Sequence, residues 1–277
     1  AALVMFMWLP KAYAALNTEL AALFAGLMTK VGVYALIRVM VLLFDQQPDV
    51  THQLMYYMAI ITMIIGAIGV LGYEDVKKIA AYQVILSIGF SVLGISALNE
   101  AGITGAIFYA GHDMIIKTLL FLVMGIFVVI CQTRSYKEMG GLIHTHPSLG
   151  IVLFILTLSI GGVPPFSGFP GKLLIIQGAL AQGYVAGVVV MIITSLIAMY
   201  SLLRVFFYMY FGREGMPVVQ KQTILPHKIA AMLLLTIATI VMGFGAEWFL
   251  DIAHQAAGMN LNPGDYQEAV VPHLEVD

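Results

Sequence analysis

Charged side chains are scarce in this chain. Thirteen Lys and Arg with fifteen Asp and Glu make 10% of 277 residues, against roughly 25% in an ordinary globular protein. A water-soluble fold of this length could not cover its surface with so few charges, so a soluble protein is excluded. Cysteine is nearly lacking: Cys131 stands alone, which forbids a disulfide within the chain and leaves a small apolar packing residue. The formal net charge of −2 offers no basic field for nucleic acid. The opening residues do not read as a targeting leader. Ala1 opens directly into AALVMFMW without an initiator Met, a basic n-region or a cleavage signature, so the opening is read as a cut inside a helix and the chain as the C-terminal part of something longer.

What is present is apolar: 61% of residues are hydrophobic and the mean hydropathy is +0.95, so the solvent is lipid. A bilayer-spanning helix needs about 20 mostly apolar residues. Seven such stretches follow the clipped opening, at 19–44, 52–72, 75–98, 101–131, 148–183, 184–212 and 226–254. The expected fold is an all-α polytopic membrane protein of about seven complete transmembrane helices plus a partial one, with one helix broken by Pro and Gly. Polar residues punctuate most boundaries, among them Asp45 to Asp49, Glu74 with Asp75, and Asn99 with Glu100. If the chain changes sides at each span, Lys11, Lys77, Lys78, Arg134, Lys137, Arg204, Arg213, Lys221 and Lys228 fall on one face. By the positive-inside rule that face is cytoplasmic, which puts the polar tail 255–277 outside. That tail, rich in Asn, Pro, Gly and acids, reads as a surface segment.

Nine of the thirteen cations serve orientation. The remaining four are Lys30, Arg38, Lys117 and Lys172. Arg38 lies near the end of its span, where a long side chain snorkels to the interface. The three lysines lie near the middle of apolar runs. Each costs about 2.5 to 3.5 kcal/mol there on insertion scales, too much for all three to be incidental. Lysines in a partly hydrated membrane interior can exchange protons, and a row of them makes a relay; lysines within a turn of the interface snorkel instead.

The run YAGHDMIIK from Tyr109 to Lys117 puts Asp113 and Lys117 four residues apart on one helical face, with Tyr109 a turn further back. The pair fits either a held, movable proton carrier or a static ion pair that makes both residues tolerable in lipid. His112 points about 100° away from Asp113 at the helical period and is a proton carrier or a hydrogen-bonded interior histidine. Between Gly161 and Gly171, Gly161, Gly162, Pro164, Pro165, Gly168, Pro170 and Gly171 crowd into an apolar stretch. They must break the helix there and free backbone carbonyls, which is tolerated at membrane depth only against protein or a watery cavity. Lys172 stands directly beside the break. Discontinuous helices of this kind mark ion sites in transporters.

Other chemistry finds no support. GFPGKL (Gly168 to Leu173) lacks the Ser or Thr a phosphate loop needs after its Lys. His144 and His146 have no Cys or carboxylate cluster beside them, so no metal and no cofactor is expected. A seven-helix receptor has no need of central lysines. A purely structural arm, with its lysines locked in ion pairs, stays open.

The segments WLPKAY (Trp8 to Tyr13), ALFAGLMTKVGVYALIR (Ala22 to Arg38), EDVKKIAAY (Glu74 to Tyr82), HDMIIKTLLFL (His112 to Leu122), MGGL (Met139 to Leu142) and PPFSGFPGK (Pro164 to Lys172) resemble the antiporter-like membrane subunits. Those subunits are shared by Mrp cation/proton antiporters, respiratory complex I and membrane-bound hydrogenases. TKVGVYALIR with WLPKAY looks most like the D-type subunits of the Mrp group. The resemblance implies the second half of a fourteen-helix subunit. Residues 1–44 would close the first repeat, 52–212 would be a second, inverted five-helix repeat with its break at 161–171, and 226–254 would be the last span. It also implies that Lys30, Lys117 and Lys172 are relay lysines, with His112 and Asp113 beside them and Arg38 and Tyr109 as accessories. The implied activity is exchange of Na⁺ or a similar monovalent cation for protons, within a hetero-oligomeric membrane complex. The alternative is a proton-pumping subunit of a complex I or hydrogenase relative, which would make it part of a translocase enzyme. Two departures stand out. The family commonly has His four residues before the Lys of the HDMIIK segment, where this chain has Asp113, and QVILSIG (Gln83 to Gly89) replaces a Ser-Gln-Ile-Gly pattern.

Overall fold

The computed structural model describes residues 6–42, 48–212 and 225–261. Arg213, Lys221, the side chains of Asp45 and Asp49, and the tail from 262 onward lie outside the described residues. The described regular structure is helical: α1 (Trp8–Ala15), α2 (Thr18–Leu42), α3 (Pro48–Gly72), α4 (Val76–Ser96), α5 (Glu100–Cys131), α6 (Leu142–Thr145), α7 (Pro147–Gly161), α8 (Gly168–Ala181), α9 (Val185–Phe211), α10 (Pro226–Phe244) and α11 (Ala246–Leu261). Among the described residues six helices are long and apolar enough to cross a membrane: α2, α3, α4, α5, α9 and α10. The protein is a multi-pass, all-α membrane protein, as expected.

The stretch expected at 148–183 is two helices. At 15 and 14 residues, α7 and α8 each reach only about 22 Å at 1.5 Å per residue, less than the roughly 30 Å hydrocarbon core. Together, with the break between them, they make one crossing. The left-handed Gly183 (φ +75°) turns the chain from α8 into α9, where the sequence placed that boundary.

The last span differs from expectation. Drawn to 254 in the sequence, it stops at Phe244, and α11 carries 246–261, including residues assigned to the tail. In α11, Ala253, Ala257 and Asn260 are buried while Asp251 and His254 are exposed. This amphipathic helix, with a narrow small-residue face, lies against α5 and α2, and it reads as polar surface when taken without its packing partners.

Why α4 is the centre of the molecule follows from its side chains. Asp75 caps it by accepting from the backbone N–H groups of Lys77 at 2.9 Å and Lys78 at 3.4 Å. Beyond the cap α4 is mostly small and apolar, its buried Gln83, Ser87, Ser91 and Ser96 each make hydrogen bonds, and 94% of its membrane-length window is buried. Small residues bring the neighbours close: a Cβ at Gly94 would lie 2.9 Å from the Gly102 carbonyl of α5. The exposed faces of α2, α3 and α9, with residues such as Val31, Tyr34, Ile68, Ile193 and Phe207, are the surface offered to lipid or to other membrane helices.

At one end of the bundle the connections are tied together. Val76 N–H donates to Arg134 O at 2.9 Å and Tyr136 N–H to Glu74 O at 3.1 Å. Lys77, Arg134 and Arg204 donate to the Leu16, Ala14 and Val70 carbonyls. These groups, together with Lys228 on Glu19, cluster at one end, as the alternation of spans requires. At the other end Arg38 Nη1 donates to Asn260 Oδ1 at 3.3 Å and Asn99 to the Gly178 carbonyl at 2.8 Å.

Candidate functional site

Lys30, Lys117 and Lys172 are 3%, 1% and 6% exposed, so none of them snorkels. Each is placed by its helix. On α2, Ala22, Ala25, Lys30, Val33 and Ile37 form the buried face while Leu27, Met28, Val31 and Tyr34 face outward. On α5, Asp113 and Lys117 share the enclosed side, where the helical period puts them one turn apart.

Asp113 joins two of the three lysines. Its Oδ2 is 2.6 Å from Lys30 Nζ, and its Oδ1 is 3.5 Å from Lys117 Nζ. Ser87 of α4 also donates to Oδ2, at 2.8 Å. Lys30 completes its shell with the Ala25 carbonyl at 3.2 Å and Thr29 Oγ1 at 3.0 Å. Asp113 Oδ1 has no aligned hydrogen bond, so Lys117 is held by charge at the longer distance. The expected partner of Asp113 was Lys117, one turn along α5. The shorter contact reaches across to α2, because a rotamer serving a facing helix is open to a carboxylate on the buried side.

Lys172 has a different environment. α7 ends at Gly161, with Gly162 left-handed at φ +78°, so the last carbonyls of α7 have no partner further along the helix. Lys172, in the first turns of α8, donates to Ile160 O at 2.6 Å and Gly161 O at 3.2 Å. It also donates to the hydroxyl of Ser195 on α9, which itself donates to Gly161 O at 2.9 Å. The ammonium lies 4.9 Å from the centre of the Phe90 ring. Three neutral oxygens, a helix C-terminus and an aromatic face therefore hold the charge.

His112 points away from Asp113, as its position on the helix requires, and meets the break. Its Nδ1 is 2.8 Å from Ser167 Oγ, which is 2.9 Å from Ser159 Oγ. Its buried Nε2 has no hydrogen-bond partner; a Cβ at Gly168 would lie 3.3 Å from it. Gly171 lets α8 approach α5: a Cβ there would come within 3.0 Å of Phe108 and 3.1 Å of Tyr109. Pro164 and Pro165 are exposed at the bend and joined by a cis peptide bond. Tyr109 packs edge-on to Phe90 at 5.9 Å and beside His112 at 5.4 Å, so its contacts are with rings. Arg38 lies apart from this centre, bonded to Asn260 and, from Nε, to Tyr34 at 3.2 Å.

Four hydroxyls that the sequence reading passed over belong to the site: Ser87, Ser159, Ser167 and Ser195. One signal was available. Gln83, Ser87 and Ser91 recur every four residues in an otherwise apolar run, a buried polar stripe at helical spacing. Gln83 uses that stripe to bind α9, donating to Ala198 O and Ser201 Oγ, both at 2.9 Å.

Residues 1–198 match the family described as NADH:quinone oxidoreductase/Mrp antiporter, TM. Among curated proteins, one named antiporter subunit mnhD2 from Staphylococcus aureus (strain Mu3 / ATCC 700698) is 54% identical over 275 residues, covering 99% of this chain and 55% of its own length. The chain thus spans about half the length of the curated relatives it matches. A chain of the Mrp complex from Dietzia sp. DQ12-45-1b superposes with a TM-score of 0.84 at 27% identity, over 95% of this chain and 57% of that one. A chain of respiratory complex I from Thermus thermophilus with bound NADH gives a TM-score of 0.83 at 24% identity, over 94% and 56%. That last likeness is one of fold.

Proposed function

Because the chain belongs to the NADH:quinone oxidoreductase/Mrp antiporter membrane family, we propose that it is part of a membrane subunit of a multi-subunit antiporter exchanging Na⁺ or a similar monovalent cation for protons. The observation that carries this reading is the buried array of Lys30, Asp113, Lys117 and Lys172. A single carboxylate stands between two ammonium groups at unequal distances. A small movement of Asp113, or a change of charge on either lysine, alters its attraction to both, which couples proton occupancy at neighbouring sites. His112 adjoins Asp113 in α5 and meets the α7–α8 break through Ser167 and Ser159, and hydroxyls and imidazole both donate and accept, so they can hand a proton toward Lys172.

Residues 52–212 act as one repeat of the subunit and the helices before them close another. The partners are further membrane subunits, and the setting is a bacterial cytoplasmic membrane with the cation-rich end inside and the C-terminal end outside, as the loop charges favour. Redox-driven proton pumping is the second reading; the family's span over NADH:quinone oxidoreductases as well as Mrp antiporters speaks for it, whereas the 54% identity to a protein named as an antiporter subunit favours exchange.

Membrane vesicles containing the assembled complex should show cation exchange driven by a pH gradient, and Lys30→Ala and Lys172→Ala should each abolish it. Full exchange in both variants would remove the lysine relay. Pumping that requires an electron donor, with no exchange in its absence, would move the protein to the second reading.

A further inference from the structure

The oxygens around Lys172 are unlike those around the other two lysines. Lys30 and Lys117 share a carboxylate. Lys172 donates to Ile160 O, Gly161 O and Ser195 Oγ, all of them neutral, over the face of Phe90. Backbone carbonyls at the end of an interrupted helix, completed by a hydroxyl, are a ligand set suited to a small desolvated cation. The negative end of the α7 dipole adds to it. In the observed arrangement the tethered ammonium occupies that set.

Room exists beside it. A cavity of about 180 Å³ between α8 and α9 is lined by Gly161, Gly162, Phe169, Lys172, Met191 and Ser195, among others. Gly162 forms part of this wall because a side chain there would collide with Lys172: a Cβ would lie 2.8 Å from Cδ. The cavity gives the Lys172 side chain somewhere to go and gives an ion access to the same carbonyls.

We propose that Ile160 O, Gly161 O and Ser195 Oγ form a binding site for a monovalent metal cation such as Na⁺, and that the Lys172 ammonium and the cation compete for it. When the Lys172 side chain swings into the adjoining cavity, one cation enters in its place on the three oxygens. When the side chain swings back, its ammonium displaces the ion. The groups of α7 and α9 that touch the ammonium are all neutral. A divalent ion fits poorly, since such ions are held by carboxylates and the set contains none. This deepens the antiporter reading and rests on it for its biological sense, by placing a site for the exchanged cation at one end of the lysine array.

The test is equilibrium binding of radiolabelled Na⁺ to the purified, fully assembled complex, beside Na⁺/H⁺ exchange in vesicles. A tethered competitor lowers apparent affinity by the fraction of time it occupies the site, so Lys172→Ala and Lys172→Met should each bind Na⁺ at least about tenfold more tightly than the native complex. Adding Ser195→Ala to Lys172→Ala should take away roughly tenfold, the effect of one lost ligand. Equal Na⁺ binding in native and Lys172-substituted complexes overturns the site. If Lys172→Ala and Lys172→Met do not assemble, Lys172→Gln, which keeps much of the side-chain length without the charge, decides, with about tenfold tighter binding expected and unchanged binding overturning the proposal. Tighter binding in the Lys172 variants together with no exchange by the native complex leaves the site standing and ends the antiporter reading. Native exchange with no Lys172-dependent binding does the reverse.

Discussion

Asp113 lies 2.6 Å from Lys30, on a different helix, and 3.5 Å from Lys117, one turn along its own. The interhelical pair is the tighter one, so α2 and α5 are joined at their buried centres by an ion pair whose two members are 3% exposed. Lys117 depends on the same carboxylate without a well-aligned hydrogen bond, and two lysines against one acid leave the cluster with an excess positive charge.

Removing that acid leaves two buried ammonium groups facing each other. Breaking a buried ion pair from one side costs about 3 to 5 kcal/mol, so Asp113→Asn should lower the thermal stability of the assembled complex. Asp113→Asn with Lys30→Met should regain much of the loss, because the unpaired charge goes too. A double variant as unstable as the single one would show that Asp113 does not act by compensating Lys30.

Ser167 links His112 to Ser159. In Ser167→Ala the imidazole loses its Nδ1 partner while packing is nearly conserved. Stability should fall by about 1 kcal/mol, and exchange should slow several-fold while assembly persists. Comparing turnover with the amount of intact complex separates the two effects. Native turnover per complex would take Ser167 out of the proton path.

Gly162 combines a left-handed backbone with contact to the Lys172 stem. An L-residue in that conformation costs roughly 1 to 2 kcal/mol. Gly162→Ala should therefore destabilise the complex by at least that much and impair exchange, whereas Gly32→Ala, where a Cβ meets nothing within 4 Å, should be neutral in both assays. Equal behaviour of the two variants in a melting experiment would contradict the role given to the break.

The exposed pair Lys137–Glu74 makes the contrast. Both side chains are about half exposed at 50% and 52%, and Glu74 holds the Lys137 ammonium above the ordinary lysine pKa. A raised lysine pKa gives a contribution that is complete below the unfolded value and fades as pH rises through the folded one, so this pair can matter only until alkaline pH. Glu74→Gln should leave exchange unchanged, and the melting temperature should hardly move, because solvent screens the pair. A large loss of exchange would mean that the link between the α3–α4 connection and the segment after α5 has a function beyond anchoring.

Much of the site was legible because a lysine in an apolar run is conspicuous. The insertion cost of Lys30, Lys117 and Lys172 is a property of composition along the chain, and the structure finds all three buried. The crowd of Gly and Pro from Gly161 to Gly171 likewise marked the α7–α8 break, since neither residue type sustains a helix. The serines left a fainter trace. Ser87, Ser159, Ser167 and Ser195 are common small residues that pack inside membrane helices for many reasons, and a hydroxyl becomes part of a network only when a neighbouring helix supplies its partner. α11 escaped for a related cause: its buried stripe of Ala253, Ala257 and Asn260 is too small and polar to register as apolar periodicity.

Local chemistry written into the chain determined the membrane setting, the spans, the broken helix and the three costly lysines, because hydropathy and backbone breakage act over a few consecutive residues. Tertiary structure alone decided which charge meets which. Asp113 could have closed on Lys117 within α5, but the packing of α2 against α5 brought Lys30 nearer, and the end of α7 gave Lys172 carbonyls in place of a carboxylate. Those pairings span from 12 residues between Ile160 and Lys172 to more than eighty between Lys30 and Asp113. Such separations are closed only when the helices pack and water leaves, and in that desolvated interior distance and alignment set the strength of every contact.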